Sequence, residues 1–348
     1  MIGVETSAVS VRRRLAGAGL ALMCVAAVAS PARADPVADF YRGKTLHVQV
    51  GVGAGGDYDV HARLLARYIG RHLPGHPAVV SENMTGAGGL KMANYLYELA
   101  PKDGTTIGVI GNYLPALQAV GGRGIQFDAG KFNWLGSLTR ESQTMAVWHT
   151  TGAKTVDDAT QREIVAGASA RGAITYSFPA MMNTLFGTRF RIVTGYSGGN
   201  DINLAMERGE VEARTNSWQS WKVNRAHWLR QGKISIIAYG GHRTNELQHV
   251  PMVEDIARND EDRQVLRLLT LGPTLGRPFA APPDVPVERI AALRAAFAAT
   301  ARDPALLAEI APSGMELDPV GGEETQQLIA NVLNTPRIIT ERAREFLQ

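Results

Sequence analysis

Two periodicities alternate along this chain. Residues 45–52, 78–82 and 106–111 are short apolar, β-rich runs, and between them 59–72 carries Val60, Leu64, Leu65 and Ile69 at helical spacing. A second helical pattern spans 89–98, so the order is strand, helix, strand, helix, strand. That order predicts a parallel sheet with helices on both faces. Further strands are expected at 145–149, 163–166, 191–193, 211–215 and 234–239, with helices at 174–186 and 201–208. The last third reads as helical, with 287–301 following the proline-rich turn AAPPDVP and 323–347 closing the chain.

The first residues carry a different pattern. Arg12, Arg13 and Arg14 precede an apolar stretch, 15–28, and Pro31-Ala32-Arg33-Ala34 ends in an AxA cleavage pattern. This is the layout of an export signal, cleaved after Ala34, and the apolar stretch is shorter than the ~20 residues a spanning helix needs. The expected location is the periplasm; the triple arginine leaves both Sec and twin-arginine export open. The segment also holds four arginines and one glutamate, so 36 basic and 33 acidic residues become 32 of each after cleavage. The apparent basicity belongs to the signal, and the mature chain has no electrostatic footprint for nucleic acid. Cys24, the single cysteine, leaves with the signal, and the eight histidines show no metal-ligand spacing. No cofactor or metal is expected. Residues 35–348 exceed what one hydrophobic core ordinarily serves, which points to two domains.

Two motifs suggest chemistry. Gly51, Gly53 and Gly56 spell GxGxxG between a strand and a helix, but the acidic residue that would bind a ribose, Glu82, lies 26 residues past Gly56, where about 20 are expected. The glycines serve equally as a sharp turn with Asp57 or Asp59 capping the helix. The loop after the second strand, NMTGAGG at 83–89, repeats the construction. Two glycine-lined helix N-termini side by side make a cradle of N–H donors suited to a carboxylate, formed by Gly55, Gly56 and Asp57 with Thr85, Gly86 and Ala87. Asp59 belongs to the site as its loop-fixing or capping residue, since it would repel an anion. The other motif is GYSGG at 195–199, a GxSxG spelling that would make Ser197 a hydrolase nucleophile. However, no oxyanion-loop segment precedes it, and His227, His242 and His249 each lie roughly 100 residues from the end.

Taken in order, FYRGKTLHVQVGVGAGGDYD, SENMTGAGGLKMAN, APKDGTTIGVIG, GYSGGNDINLAMERGEVEA and QGKISIIAYGGHRTNELQHVPMVEDI resemble the extracytoplasmic solute-binding receptors of tripartite tricarboxylate transporters, the Bug or TctC type. The likeness covers essentially all of the mature chain. It implies two Rossmann-like α/β lobes joined by a double-crossing hinge, the type II periplasmic binding protein fold, with lobe 1 at 35–142 plus 233–348 and lobe 2 at 143–232. It also implies a monomer that performs no chemistry, holds a small organic acid between its lobes and delivers it to membrane permease subunits. The competing classes are a secreted serine hydrolase using Ser197 and a receptor feeding a membrane kinase.

From the second lobe, Ser169, Arg171, Gly172 and Thr175 could hold the far end of the acid, Arg171 by bidentate pairing with a second carboxylate. Asn112, Asn200 and Asn216 supply neutral donors and acceptors at loop ends. Trp218 or Trp221 could wall the cleft. Arg214, in a strand reading EARTN, is either a buried partner for Glu212 or a solvent-facing residue, and the second reading is preferred. The chain departs from the family pattern at Ala173, Tyr176, Ser197 and Asn216, and these departures leave the identity of the acid open.

Overall fold

The computed structural model describes residues 35–347 except Gly56, Ala170, Gly172, Ser197 and Glu316. The expected signal segment, the proposed binding glycines Gly56 and Gly172, and Ser197 therefore lie outside the described residues.

Strands β1 (Thr45–Val50), β2 (Ala78–Asn83), β3 (Thr106–Val109) and β4 (Asn133–Ser137) are followed by β5 (Ser142–Trp148), β6 (Ile164–Gly167), β7 (Phe190–Val193), β8 (Ala213–Ser217) and β9 (Ile234–Gly241), then β10 (Pro278–Ala281) and β11 (Val320–Gly321). They form two sheets, ordered β11-β4-β10-β3-β1-β2 and β7-β6-β8-β5-β9. The parallel sheet expected from the βαβαβ order is present as β2-β1-β3. It continues antiparallel, through β10 on β3, β4 on β10 and β11 on β4, so the first sheet is mixed. These added strands are short and recruited from distant positions, which local periodicity does not register.

The second sheet repeats the plan. β6 is parallel to β7 and β8, while β5 runs antiparallel between β8 and β9. Strand β9 thus pairs with β5 over residues 234–241, whereas a boundary at residue 232 would assign it to the first lobe.

Burial explains which segments became central. β3 and β5 are buried at every position, whereas β2, at a sheet edge, is exposed or half-buried throughout. The helix Asp57–His72 buries Ala62, Leu64, Leu65 and Ile69. Val60, expected on that face, is 40% exposed, because the buried face runs through Asp59, Ala62, Leu65 and Ile69 and leaves Val60 outside it. The expected C-terminal helix is two, Gly322–Leu333 and Arg337–Leu347, divided at Pro336, which cannot supply the amide a continuing helix requires.

The helix Asp260–Leu275 was not expected from the periodicity, although its start is marked: the Asn259 side chain accepts the Asp262 amide at 2.8 Å, with three acidic residues in the first turn. It follows the second sheet and leads back into β10 of the first. Its chain exit is tight. Gly276 has φ 62° and ψ −112°, and a Cβ there would lie 1.7 Å from the Thr139 carbonyl oxygen. Only glycine lets the two crossing segments approach so closely.

Candidate functional site

A cavity of about 620 Å³ opens where the two sheets meet. From the first side, Tyr58 and His61 come from the first turns of the helix Asp57–His72, Asn112 and Tyr113 from the loop after β3, and Arg277 from the approach to β10. From the other side, Gln143 comes from β5, Asn216 and Ser217 from the end of β8, and Gln219, Ser220 and Val223 from the helix Trp218–Asn224. Thr139 and Glu141 of the first crossing and Leu268, Leu269 and Pro273 of the helix Asp260–Leu275 complete the walls. The lining therefore mixes apolar side chains, Ala116, Ile174 and Met315 among them, with hydrogen-bonding ones.

Charge within it is balanced by a pair. Arg277, 8% exposed, donates through Nη2 to Glu141 Oε1 at 3.1 Å, and its guanidinium carbon lies 4.8 Å from the centre of the Tyr58 ring. The Ser137 hydroxyl oxygen accepts the Arg277 amide at 2.9 Å, fixing the backbone that carries the guanidinium. Neither Arg277 nor Glu141 was anticipated. They flank the crossing segments, 136 positions apart, and nothing local marks them as neighbours.

Asn112 and Asn216, both expected, line this cavity. The Asn112 Nδ2 donates to the Gly276 carbonyl at 2.9 Å, so its oxygen is left for other donors, and its backbone amide donates to the Tyr58 hydroxyl at 3.1 Å.

The two glycine loops are adjacent, and none of their described residues lines the cavity. A Cβ on Gly51 would be 2.7 Å from Gly89 Cα, so the first glycine of the GxGxxG spelling serves close backbone packing between the loops. The Gly55 amide donates to Asp59 Oδ2 at 2.8 Å and is thus committed within its own loop. Asp59 is 2% exposed and also accepts from Arg63 Nε at 2.9 Å and Asn83 Nδ2 at 2.8 Å. Those donors, Arg63 foremost, hold its carboxyl down to about 2. Asp59 is in this arrangement a loop clamp. Asp57 begins the helix, and Thr85, Gly86 and Ala87 stand in an exposed loop, with Ala87 at φ 46° and the Gly88 carbonyl accepting from the Tyr113 hydroxyl.

Several second-sheet candidates stand elsewhere. Ser169 and Thr175 bond each other, the Ser169 amide donating to Thr175 Oγ1 at 3.1 Å. Their neighbours Ile174 and Ser177 line the cavity instead. Arg171 is exposed, lies 5.3 Å from the Tyr176 ring centre and borders a separate depression with Asn183 and Phe190. Asn200 is exposed in the first turn of the helix Gly199–Glu207.

Neither tryptophan walls the cavity. Trp221 is fully buried and donates to Thr144 Oγ1 at 2.9 Å, while Trp218 donates to Glu246. Helical spacing puts Gln219, Ser220 and Val223 on the open face and turns Trp221 into the core. Arg214 is not solvent-facing: it is 4% exposed in β8.

The two sheets, the double crossing and the cavity between them define a two-lobed α/β binding-protein fold of the periplasmic kind. The chain resembles the tripartite tricarboxylate-type solute-binding proteins, the TctC or Bug type, and has their fold. It is similar to a TctC solute binding protein from Polaromonas, with TM-score 0.66 and 18% identity over 88% of this chain and 99% of that one. It is likewise similar to the R. palustris protein Rpa4515 with adipate, with TM-score 0.61 and 20% identity over 86% and 97% of the two chains. In sequence, it is 28% identical over 256 residues to a UPF0065 protein in the gbd 5′ region of Cupriavidus necator, covering 69% of this chain and 72% of that protein. No family model matches the chain.

Proposed function

We propose that this protein is a periplasmic member of the TctC or Bug type that captures a small organic acid in its central cavity and hands it, unchanged, to a tripartite tricarboxylate-type membrane permease. The observation that carries this reading is the cavity itself: about 620 Å³, walled by residues of both sheets and the crossing, with apolar and hydrogen-bonding side chains mixed in its lining. Relatives of the same fold support it, one of them solved with adipate. The lobes would close about the crossing segments near residues 138–141 and 242, burying the acid. Lobe 2 would then run from Ser142 to Gly241, the span of the second sheet.

A thermal-shift panel of malate, adipate, benzoate and glutamate tests the binding, because a ligand of the native state alone raises the melting temperature by mass action. X-ray scattering with the best binder should show compaction. The reading fails if none of these acids shifts the transition, or if the protein consumes the acid it binds. Pull-down of permease subunits from membranes of the native host, stronger with the bound acid present, tests delivery.

A further inference from the structure

Arg214 is a buried cation, and among the described residues no anion stands beside it. Its guanidinium donates to the carbonyl oxygens of Thr215 at 3.2 Å and of Gly199, to Asn203 Oδ1 at 2.8 Å and to Asn216 Oδ1 at 3.2 Å. All four acceptors are neutral, and among the described residues no carboxylate pairs with it. Its position is rigid, since a Cβ on Gly199 would come within 2.9 Å of both terminal nitrogens and its carbon lies 5.5 Å from the Trp221 ring centre. Burial and the nearby Arg225 charge lower its pKa to about 10, so it remains protonated at neutral pH. A buried charge ordinarily has a counter-ion, and this one lacks it.

The consequence falls on Asn216. A guanidinium has donors only, so Asn216 must turn its oxygen toward Arg214, and the amide nitrogen is left facing the other way. Asn216 lines the central cavity, and its Nδ2 has no partner among the described residues. The other charges of the cavity wall, Arg277 and Glu141, are paired with each other. Resting on the proposed capture of an acid, we propose that Asn216 and Arg214 form a charge-biased donor for the ligand carboxylate, in which Asn216 Nδ2 touches the acid and Arg214 orients that amide and supplies the counter-charge. Arg214 is thus a positioning residue, and the site selects an anion through a single neutral side chain.

Asn216→Asp separates this assignment from a merely structural one. The new carboxylate pairs with Arg214, so the melting temperature of the free protein rises, while the donor is lost and a negative charge enters the cavity. Calorimetry with the tightest acid of the panel above should then show affinity reduced at least tenfold in the more stable protein. Asn216→Ala, which removes the donor without adding charge, should weaken binding less than Asn216→Asp and leave it dependent on Arg214. The proposal is overturned if the wild type binds an acid and Asn216→Asp binds it within threefold as well, or if the aspartate variant is less stable than the wild type. A wild type that binds none of the panel removes the functional reading first, and this inference with it.

Discussion

Replacing Asp59 by alanine probes whether the glycine loops are held by one carboxylate. The side chain is 2% exposed and accepts three hydrogen bonds, from the Gly55 amide at 2.8 Å, Asn83 Nδ2 at 2.8 Å and Arg63 Nε at 2.9 Å. Bonds to a charged acceptor contribute about 1.5–3 kcal/mol each. The Arg63 partner is 43% exposed, which reduces its share to roughly 0–1 kcal/mol through solvent screening. Because Gly55 and Asn83 are themselves exposed, their two bonds stand at the low end of that range, and the expected loss is about 3–4 kcal/mol. At roughly 2–4 °C per kcal/mol for a domain of this order of size, the melting temperature should fall by about 10 °C. Thermal unfolding followed by circular dichroism measures it. The pH dependence supplies a second check. Because the folded carboxyl titrates near 2, below its ordinary 3.8, its stabilisation is complete above the ordinary value and is lost as pH falls toward 2. The difference between wild type and Asp59→Asn should therefore be constant from pH 7 to pH 5 and shrink below pH 4. A melting temperature lowered by less than 2 °C in Asp59→Ala, or a difference that grows on acidification, would refute the clamp.

Three further expectations concern the crossing and the second core. Gly276→Ala must adopt a backbone conformation reserved for glycine and displace the Thr139 carbonyl, so it should cost about 3–5 kcal/mol by chemical denaturation. Trp221→Phe keeps most of the packing but removes the indole donor to Thr144, whose hydroxyl still donates to the Asn216 carbonyl at 2.8 Å, and should cost about 1 kcal/mol by the same measurement. Glu254 is 7% exposed and burial raises its pKa; the folded state then holds its proton more tightly than the unfolded chain, and stability falls as pH rises above the ordinary carboxyl value. Glu254→Gln should consequently raise the melting temperature at pH 8 and change it little at pH 4.5; a lower value at pH 8 would reverse the sign assigned to this group.

The asparagines show how much of the candidate site was legible. Asn112 and Asn216 follow strands β3 and β8, and strand ends in α/β layers are where ligands bind, so position in the pattern pointed to two residues that line the cavity. The glycine loops were equally visible, but a sequence does not tell whether an amide is free or already used. Gly55 donates to Asp59, and Gly51 meets Gly89 backbone to backbone, so much of the expected cradle serves the loop itself. Trp218 and Trp221 lie off the cavity for a related reason: a one-residue step on a short helix separates them from Gln219 and Ser220, which line it, and only the packing partner decides which face is which.

The opening strand-helix-strand-helix-strand order, most strands of the second sheet, the two-lobe expectation and the glycine turns were determined by the sequence alone, because they depend on side-chain periodicity and turn chemistry within a few residues. The mixed strand order of the first sheet, the placement of β9 in the second, the burial of Arg214 and the pairing of Arg277 with Glu141 were decided only by the tertiary structure. Each depends on contacts between segments far apart in the chain, where burial and the demand for hydrogen-bond partners choose among arrangements that local propensity leaves equal.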